Sequence, residues 1–170
     1  MAAGPTFEPI ATQTLASAAA TITFSSIAAS WTDLRLVLVT TTSTANNAAA
    51  IRFNGDSATN YSQTIVRGSG TTAGSTSATS ATYVQTNLGS AGTSTTIPTL
   101  FTFDVFSYAG STNKTLLVTS NTDQNGSGGV ESAVGLWRST AAITSIVLSL
   151  TNAGNYSIGT TATLYGIRAA

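Results

Sequence analysis

Apolar and hydroxyl-bearing residues alternate along most of this chain of 170 residues. The segment Thr21-Ile22-Thr23-Phe24-Ser25 shows the pattern in its simplest form. A period of two places one kind of side chain on each face of an extended backbone, which is typical of a half-buried strand and does not fit an amphipathic helix. Such segments recur at a spacing of about 8–12 residues, separated by clusters of Gly, Asn and Ser. The pattern predicts about ten strands and no helix.

Many short strands joined by polar turns favour an all-β fold, an antiparallel two-sheet sandwich. A count above about eight strands favours a jelly-roll-like arrangement over an immunoglobulin domain. We expect a single β-sandwich domain over residues 15–170. Residues 1–14 hold two prolines and a glycine, and we predict that they form an extended N-terminal arm that lies on a neighbouring protein or adds a strand to it. Residues 68–80 contain only Gly, Ser, Thr and Ala and are predicted to form a surface loop.

The chain contains no histidine and no cysteine. Histidine is the usual general base near neutral pH, and histidine and cysteine are the ligands of ordinary zinc sites. We therefore predict that the protein is not an enzyme and has no cofactor and no metal site. The carboxylates are too scattered to indicate a catalytic pair, and pairing of Asp33 or Asp104 with an arginine such as Arg35 or Arg52 is the simpler interpretation. The carboxylates are Glu8, Asp33, Asp56, Asp104, Asp123 and Glu131.

Two segments offer several oxygen ligands, Asn54-Gly55-Asp56-Ser57 and Asp123-Gln124-Asn125-Gly126. Calcium takes about 6–8 oxygens, yet each segment carries a single carboxylate. Asn, Asp and Gly tolerate the left-handed backbone of tight turns. We predict turns in both places rather than calcium sites.

Charge is sparse and evenly spread, with six basic and six acidic residues and a net charge of zero. Binding to a phosphate backbone needs several basic groups on one face, so we predict no nucleic-acid partner. No apolar run approaches the about 20 residues of a membrane span, and the N-terminus does not resemble a signal peptide. We expect synthesis in the cytoplasm without export and no membrane partner. A nearly uncharged, hydroxyl-rich surface suits a protein that packs against neighbours.

Two groups of aromatic residues are candidate contact sites. Residues 100–108 carry apolar side chains at both odd and even positions, so we expect one face to meet the core and the other to meet a partner. Trp31 and Trp137 are candidate platforms for a sugar ring, with a core or interface position as the alternative.

Several strings in the chain resemble those of one group of proteins. The most specific are Phe53-Asn54-Gly55-Asp56 with Asn60-Tyr61-Ser62, and the terminal string Ala162-Thr163-Leu164-Tyr165-Gly166-Ile167. Together with Thr6-Phe7-Glu8-Pro9-Ile10 and Trp137-Arg138-Ser139-Thr140, they span nearly the whole chain. In these strings the chain resembles small virion structural proteins of tailed bacteriophages.

The resemblance implies a jelly-roll capsid decoration (cement) protein on the head surface, which stabilises the head by bridging subunits of the major capsid protein. It also implies a homotrimer. The candidate capsid-docking residues are then Thr6, Phe7, Glu8, Pro9 and Ile10, and the candidate subunit interface is Phe101, Phe103, Phe106 and Tyr108. The alternative is a receptor- or glycan-binding module of a tail fibre or baseplate, with Trp31 and Trp137 as glycan contacts. No catalytic residue is implied.

Overall fold

A computed structural model describes residues 6–86 and 92–168 of the chain. Within these ranges the chain forms twelve strands and no helix, and therefore no helix that could cross a membrane. The strands are β1 (Phe7–Thr14), β2 (Thr21–Phe24), β3 (Asp33–Thr40), β4 (Ala49–Phe53), β5 (Tyr61–Gly68), β6 (Ala73–Ala81), β7 (Val84–Gln85), β8 (Thr99–Phe106), β9 (Lys114–Asp123), β10 (Gly128–Trp137), β11 (Ile146–Leu150) and β12 (Thr161–Ile167).

The described strands form two antiparallel sheets. The large sheet has eight strands in the order β1-β12-β3-β8-β9-β10-β5-β6, and the small sheet has four in the order β2-β11-β4-β7. The chain crosses repeatedly between the sheets, and the small sheet pairs strands that are distant in sequence. The predicted all-β, jelly-roll-like sandwich is confirmed.

The core lies between the sheets and consists of the inward half of each alternating strand. In β3, Leu34, Leu36 and Leu38 are at most 1% exposed, while the residues between them are only half-buried. The sheets approach closely at Gly135 of β10, where an added Cβ would lie 2.6 Å from a methyl group of Val84 in β7. Burial of aliphatic and aromatic side chains between the layers supplies most of the stabilisation, at about 25 cal/mol per Å² of apolar surface.

The structure differs from the sequence prediction in two segments of the large sheet. Residues 73–80 of the predicted loop belong to β6, which pairs antiparallel with β5. Residues 7–14, predicted as an arm, form β1 and pair with β12, so the sheet begins at Phe7 rather than at residue 15. Met1–Pro5, the start of that arm, lies outside the described residues.

Candidate functional site

The outer face of the large sheet is the broadest surface that the described strands present. Only the inner face packs on the small sheet, which has half as many strands. In β8, β9 and β10 the side chains alternate strictly between buried and more exposed positions. The exposed set forms the outer face, and the strand register aligns it across the sheet.

Large apolar side chains are concentrated on this outer face. Of the nine strongly exposed large hydrophobic residues in the described chain, eight belong to strands of the large sheet and one, Ile158, to the loop before β12. The eight are Phe7, Val39, Val66, Leu100, Phe106, Leu117, Val130 and Val134, each between 38% and 62% exposed. A concentration of exposed apolar side chains on one face is typical of a protein interaction surface.

The centre of the same face carries one ion pair. Arg35 of β3 lies directly opposite Asp104 of β8, and its Nε and Nη2 donate to the two carboxylate oxygens at 2.5 and 3.0 Å. These hydrogen bonds raise the pKa of the Arg35 guanidinium. The predicted pairing of Asp104 with an arginine is confirmed. Because the two charges neutralise each other, the centre of the face has no net charge.

The predicted subunit interface on β8 is wrong for three of its four residues. Phe101, Phe103 and Tyr108 are all 0% exposed and belong to the core. The Tyr108 hydroxyl is held inside the protein, where it donates to the carbonyl of Ala28 and accepts from the backbone N–H of Trp31. Phe106, at 44% exposed, lies on the outer face and remains available to a partner.

The predicted capsid-docking residues lie at the edge of the large sheet. Phe7 is exposed and stacks on Tyr165 of β12, with ring centroids 4.7 Å apart. Thr6 and Pro9 are also exposed, whereas Glu8 is half-buried and Ile10 packs against the core. A register shift between Pro9 and Ala11 marks a bulge in this edge strand.

The two candidate glycan contacts occupy different environments. Trp137 is 2% exposed and packs against Phe53 and Tyr61, so the prediction that it contacts a glycan is wrong. The Trp31 ring is half-buried against Gly166, with the Arg168 guanidinium 4.5 Å from its centroid. This cation–π contact covers part of the ring that a sugar would need.

The residues around Asp56 connect the loop between β4 and β5 to the strands β4, β5 and β10, and we call this cluster the Asp56 knot. The Asp56 carboxylate accepts from Trp137 Nε1 at 2.7 Å, Asn60 Nδ2 at 3.0 Å and the Ala58 N–H at 2.9 Å. The Tyr61 hydroxyl accepts from the Phe53 N–H at 3.0 Å. The hydrogen bond from Trp137, followed by that from Asn60, lowers the pKa of the Asp56 carboxyl below its ordinary value.

Asn54 ties the same turn to the loop before β11. Its Oδ1 accepts from the N–H groups of Thr144 and Ser145, and its Nδ2 donates to the carbonyl of Ala142. Asn54 and Gly55 have φ values of 53° and 68°, the left-handed conformation expected of a tight turn. The turn interpretation of this segment is confirmed.

Three further carboxylates, those of Asp33, Asp123 and Glu131, occupy positions within the sheet framework and its turns. Asp33 accepts from the Ser107 N–H at 2.7 Å, and Asp123 accepts from the Gly126 N–H at 2.9 Å within its predicted turn. Glu131 lies directly opposite Arg67 in the register of β10 and β5. Among residues 6–86 and 92–168, no three Asp, Glu, His or Cys side chains come close enough to hold a metal ion.

A shallow groove of about 440 Å³ crosses the end of the large sheet beside β6. Hydroxyl groups of Ser62, Thr64, Ser77, Thr79 and Thr115 line it together with Val134 and Leu136. None of its lining residues is aromatic or charged. It therefore extends the neutral outer face rather than forming a separate polar cleft.

The exposed apolar residues of β9 and β10, namely Leu117, Val130 and Val134, were not predicted from the sequence to form a contact surface. The adjacent apolar pair Leu116 and Leu117 was the available signal, because a period of two sends one of them outward. No protein-family model, no curated protein and no solved structure matches the chain.

Proposed function

We propose that this chain is a virion structural protein of a tailed bacteriophage, a capsid decoration protein on the head surface. In this role it stabilises the head by bridging subunits of the major capsid protein, and it assembles with itself, as a trimer. The observation that carries the proposal is the outer face of the large sheet, on which eight exposed large apolar side chains surround one internally neutralised ion pair. Such a face favours adhesion to protein over binding of a charged ligand.

The sequence strings that resemble those of phage virion proteins have structural roles in the fold, which supports the proposal of a structural protein. The Phe53-to-Asp56 turn and Trp137 form the Asp56 knot, which fastens β4, β5 and β10 together. In the terminal string, Leu164 is buried in the core and Gly166 lies beneath Trp31. These residues stiffen the sandwich, and a stiff body suits a protein that must hold neighbouring capsid subunits in fixed positions.

The exposure of β1, at the edge of the large sheet, supports our proposal that this strand docks on the capsid. Phe7 is 46% exposed beside Tyr165, and β1 has a single neighbour in the sheet, β12. An edge strand offers backbone groups to which another protein can add a strand. Aromatic side chains at such positions are frequent anchors of protein interfaces.

Capsid docking is tested with phage heads that lack this protein. The purified protein is mixed with these heads, and the fraction that sediments with them is measured. Phe7→Glu should weaken binding about thirtyfold, since loss of an aromatic anchor costs about 2 kcal/mol and 1.4 kcal/mol corresponds to about tenfold. Thr14→Glu is the matched control, because Thr14 is exposed at the opposite end of the same strand. Absence of binding by the wild type, or equal binding by both folded variants, would overturn the proposal.

The alternative role, a glycan- or receptor-binding module of a tail fibre or baseplate, keeps one of its two candidate contacts. Trp31 is half-buried and partly accessible, whereas Trp137 is in the core. Binding to a glycan array by the wild type and its loss in a folded Trp31→Ala variant would favour this role over capsid decoration. Trp137→Ala is unsuitable for the test because its loss of binding would report damage to the core.

A further inference from the structure

We propose that the outer face of the large sheet is the surface through which copies of this chain pack against each other. The inference deepens the proposed function, on which it rests for its virion setting, by assigning the self-interface to this face. It replaces the predicted interface, of which only Phe106 is exposed. The apolar residues that would form the contact lie on β8, β9, β10 and β5, away from the β1 edge proposed to dock on the capsid.

The strand register joins the exposed apolar side chains into one patch. Leu117 of β9 lies directly opposite Val134 of β10, and Leu100 lies one strand away from Val130 across Asn121. Val66 of β5 extends the patch beside Ser132. Side chains directly opposite in antiparallel strands lie about 5 Å apart and diagonal neighbours about 7–8 Å apart, so Leu117 meets Val134, and Val66 is a diagonal neighbour of both Val130 and Val134. Asn121 of β9 lies between Leu100 and Val130. We call Leu100, Leu117, Val130, Val134 and Val66 the sheet patch.

The polar groups among the apolar ones suit an identical partner. Thr102 of β8, Thr119 of β9 and Ser132 of β10 form one row across the patch. A hydroxyl both donates and accepts hydrogen bonds, so a row of hydroxyls can pair with a copy of itself. A row of like charges could not do so without repulsion. The face therefore suits another neutral, hydroxyl-rich surface of the same chain, as in the heterologous contacts of a trimer.

Charge on the face points to the same partner. Arg35 and Asp104 already neutralise each other, and the net charge of the chain is zero. A strongly acidic or basic partner would find no opposite charge at the centre of the face. A second copy, which also has no net charge, brings no like-charge repulsion to the face.

The size of the face matches what a stable interface requires. Without β1, the seven strands from β12 to β6 at a spacing of about 4.8 Å, with about seven residues each at a rise of about 3.3 Å, give a face of about 34 by 23 Å, or about 800 Å². Stable interfaces bury about 800 Å² on each partner. Sheets also pack face to face readily, as the two layers within this chain already do.

The opposite surface provides the contrast. The exposed residues of the small sheet include Thr21 and Thr23, and Arg52 lies on its outer face with its guanidinium over the Tyr83 ring. None of the nine strongly exposed large apolar residues in the described chain lies on a strand of the small sheet. The small sheet therefore supplies matched control positions. Val147 of β11 is suitable because it lies opposite Arg52, so that a glutamate there faces a positive charge.

The first experiment measures molar mass by light scattering for the full chain and two patch variants, Leu117→Glu and Val134→Glu. The wild type and Val147→Glu should have a mass that is an integer multiple of the monomer mass of 17.1 kDa and larger than it. The patch variants should have the monomer mass. Circular dichroism confirms that each variant is folded. A monomeric wild type, or patch variants that keep the wild-type mass, would overturn the inference.

The second experiment does not depend on disrupting the interface. Because the chain has no cysteine, Leu117→Cys and Val147→Cys each introduce a single thiol. In the assembled protein, maleimide should modify Leu117→Cys at least about tenfold more slowly than after dissociation by dilution, whereas Val147→Cys should react at the same rate in both states. Equal rates for Leu117→Cys in the two states would contradict the inference.

The inference and the proposed function can fail separately. Heads that bind a monomeric wild type would leave capsid decoration intact and exclude self-association through the sheet patch. Conversely, the wild type could assemble, lose assembly on Leu117→Glu and yet bind no heads. That result would support the inference and exclude capsid decoration.

Discussion

Replacement of Asp56 by alanine removes the acceptor at the centre of the Asp56 knot. Three donors point at this carboxylate: Trp137 Nε1, Asn60 Nδ2 and the Ala58 N–H. Trp137 itself is 2% exposed and stacks against Tyr61, so its indole cannot turn toward water without opening the core. The indole N–H of the variant therefore loses the carboxylate that accepts its hydrogen bond.

The expected cost follows from these contacts. A buried donor left without its acceptor costs about 1–3 kcal/mol, and the two more exposed hydrogen bonds add about 0.5–1 kcal/mol together. We expect Asp56→Ala to lower the free energy of unfolding by about 3 kcal/mol, or the Tm by about 6–12 °C for a domain of this size. Asp56→Asn keeps one acceptor oxygen, which can face Trp137 Nε1 and Asn60 Nδ2, but loses the charge and the acceptor for the Ala58 N–H. Its cost should therefore be smaller, about 1 kcal/mol.

The pH dependence of stability distinguishes the contribution of the Asp56 charge from that of the surrounding packing. Since the pKa of Asp56 is lowered in the folded state, the stability from its ionised form is fully present above its ordinary value of 3.8 and is lost as pH falls through the folded pKa. The difference in the free energy of unfolding between the wild type and Asp56→Asn should therefore become smaller below pH 3.8. Denaturant unfolding followed by far-UV circular dichroism measures it. An Asp56→Ala cost within about 0.5 kcal/mol of zero at neutral pH would refute the reasoning.

Two further substitutions test contacts elsewhere in the fold. Gly166→Ala should lower the free energy of unfolding by about 1–3 kcal/mol, measured by thermal or denaturant unfolding, because the new Cβ would lie 2.1 Å from an atom of the Trp31 ring. Gly68→Ala is the control, since a Cβ added there has nothing within 4 Å. Equal costs for the two substitutions would contradict the packing argument. Tyr61→Phe should cost about 1–2 kcal/mol because the buried Phe53 N–H loses its acceptor. Burial raises the pKa of Tyr61 from 10.0 to about 12, so the advantage of the neutral hydroxyl is complete below pH 10.0 and is lost as pH rises toward 12. The wild type should therefore lose more stability than Tyr61→Phe over that interval, and parallel losses would contradict this assignment.

The sandwich was predictable from the sequence because its strands carry their own signal. In β3 and β12 every second residue is apolar and buried, and turns such as Asn54-Gly55 consist of residue types that tolerate positive φ. These properties belong to the strand or turn itself and need no knowledge of its neighbours.

The strand β6 was not predictable in the same way. Its residues are all Gly, Ala, Ser or Thr, so no apolar period marks it. Its extended conformation comes from pairing with β5, from Tyr61 opposite Ala81 to Gly68 opposite Ala73. For β1, the two prolines and one glycine of residues 1–14 indicated extended backbone, but only pairing with β12 shows where residues 7–14 lie.

The sequence alone determined that the strands have two different faces and where turns separate them, because alternation and turn chemistry are local properties. Only the tertiary structure decided which face is inside. In β8, Phe101 and Phe103 point inward, whereas Leu100 and Phe106 point outward, although all four are apolar. Trp137 is buried because Asp56, 81 residues away, supplies its acceptor. Such outcomes depend on register and partners far apart in the chain, which no single segment encodes.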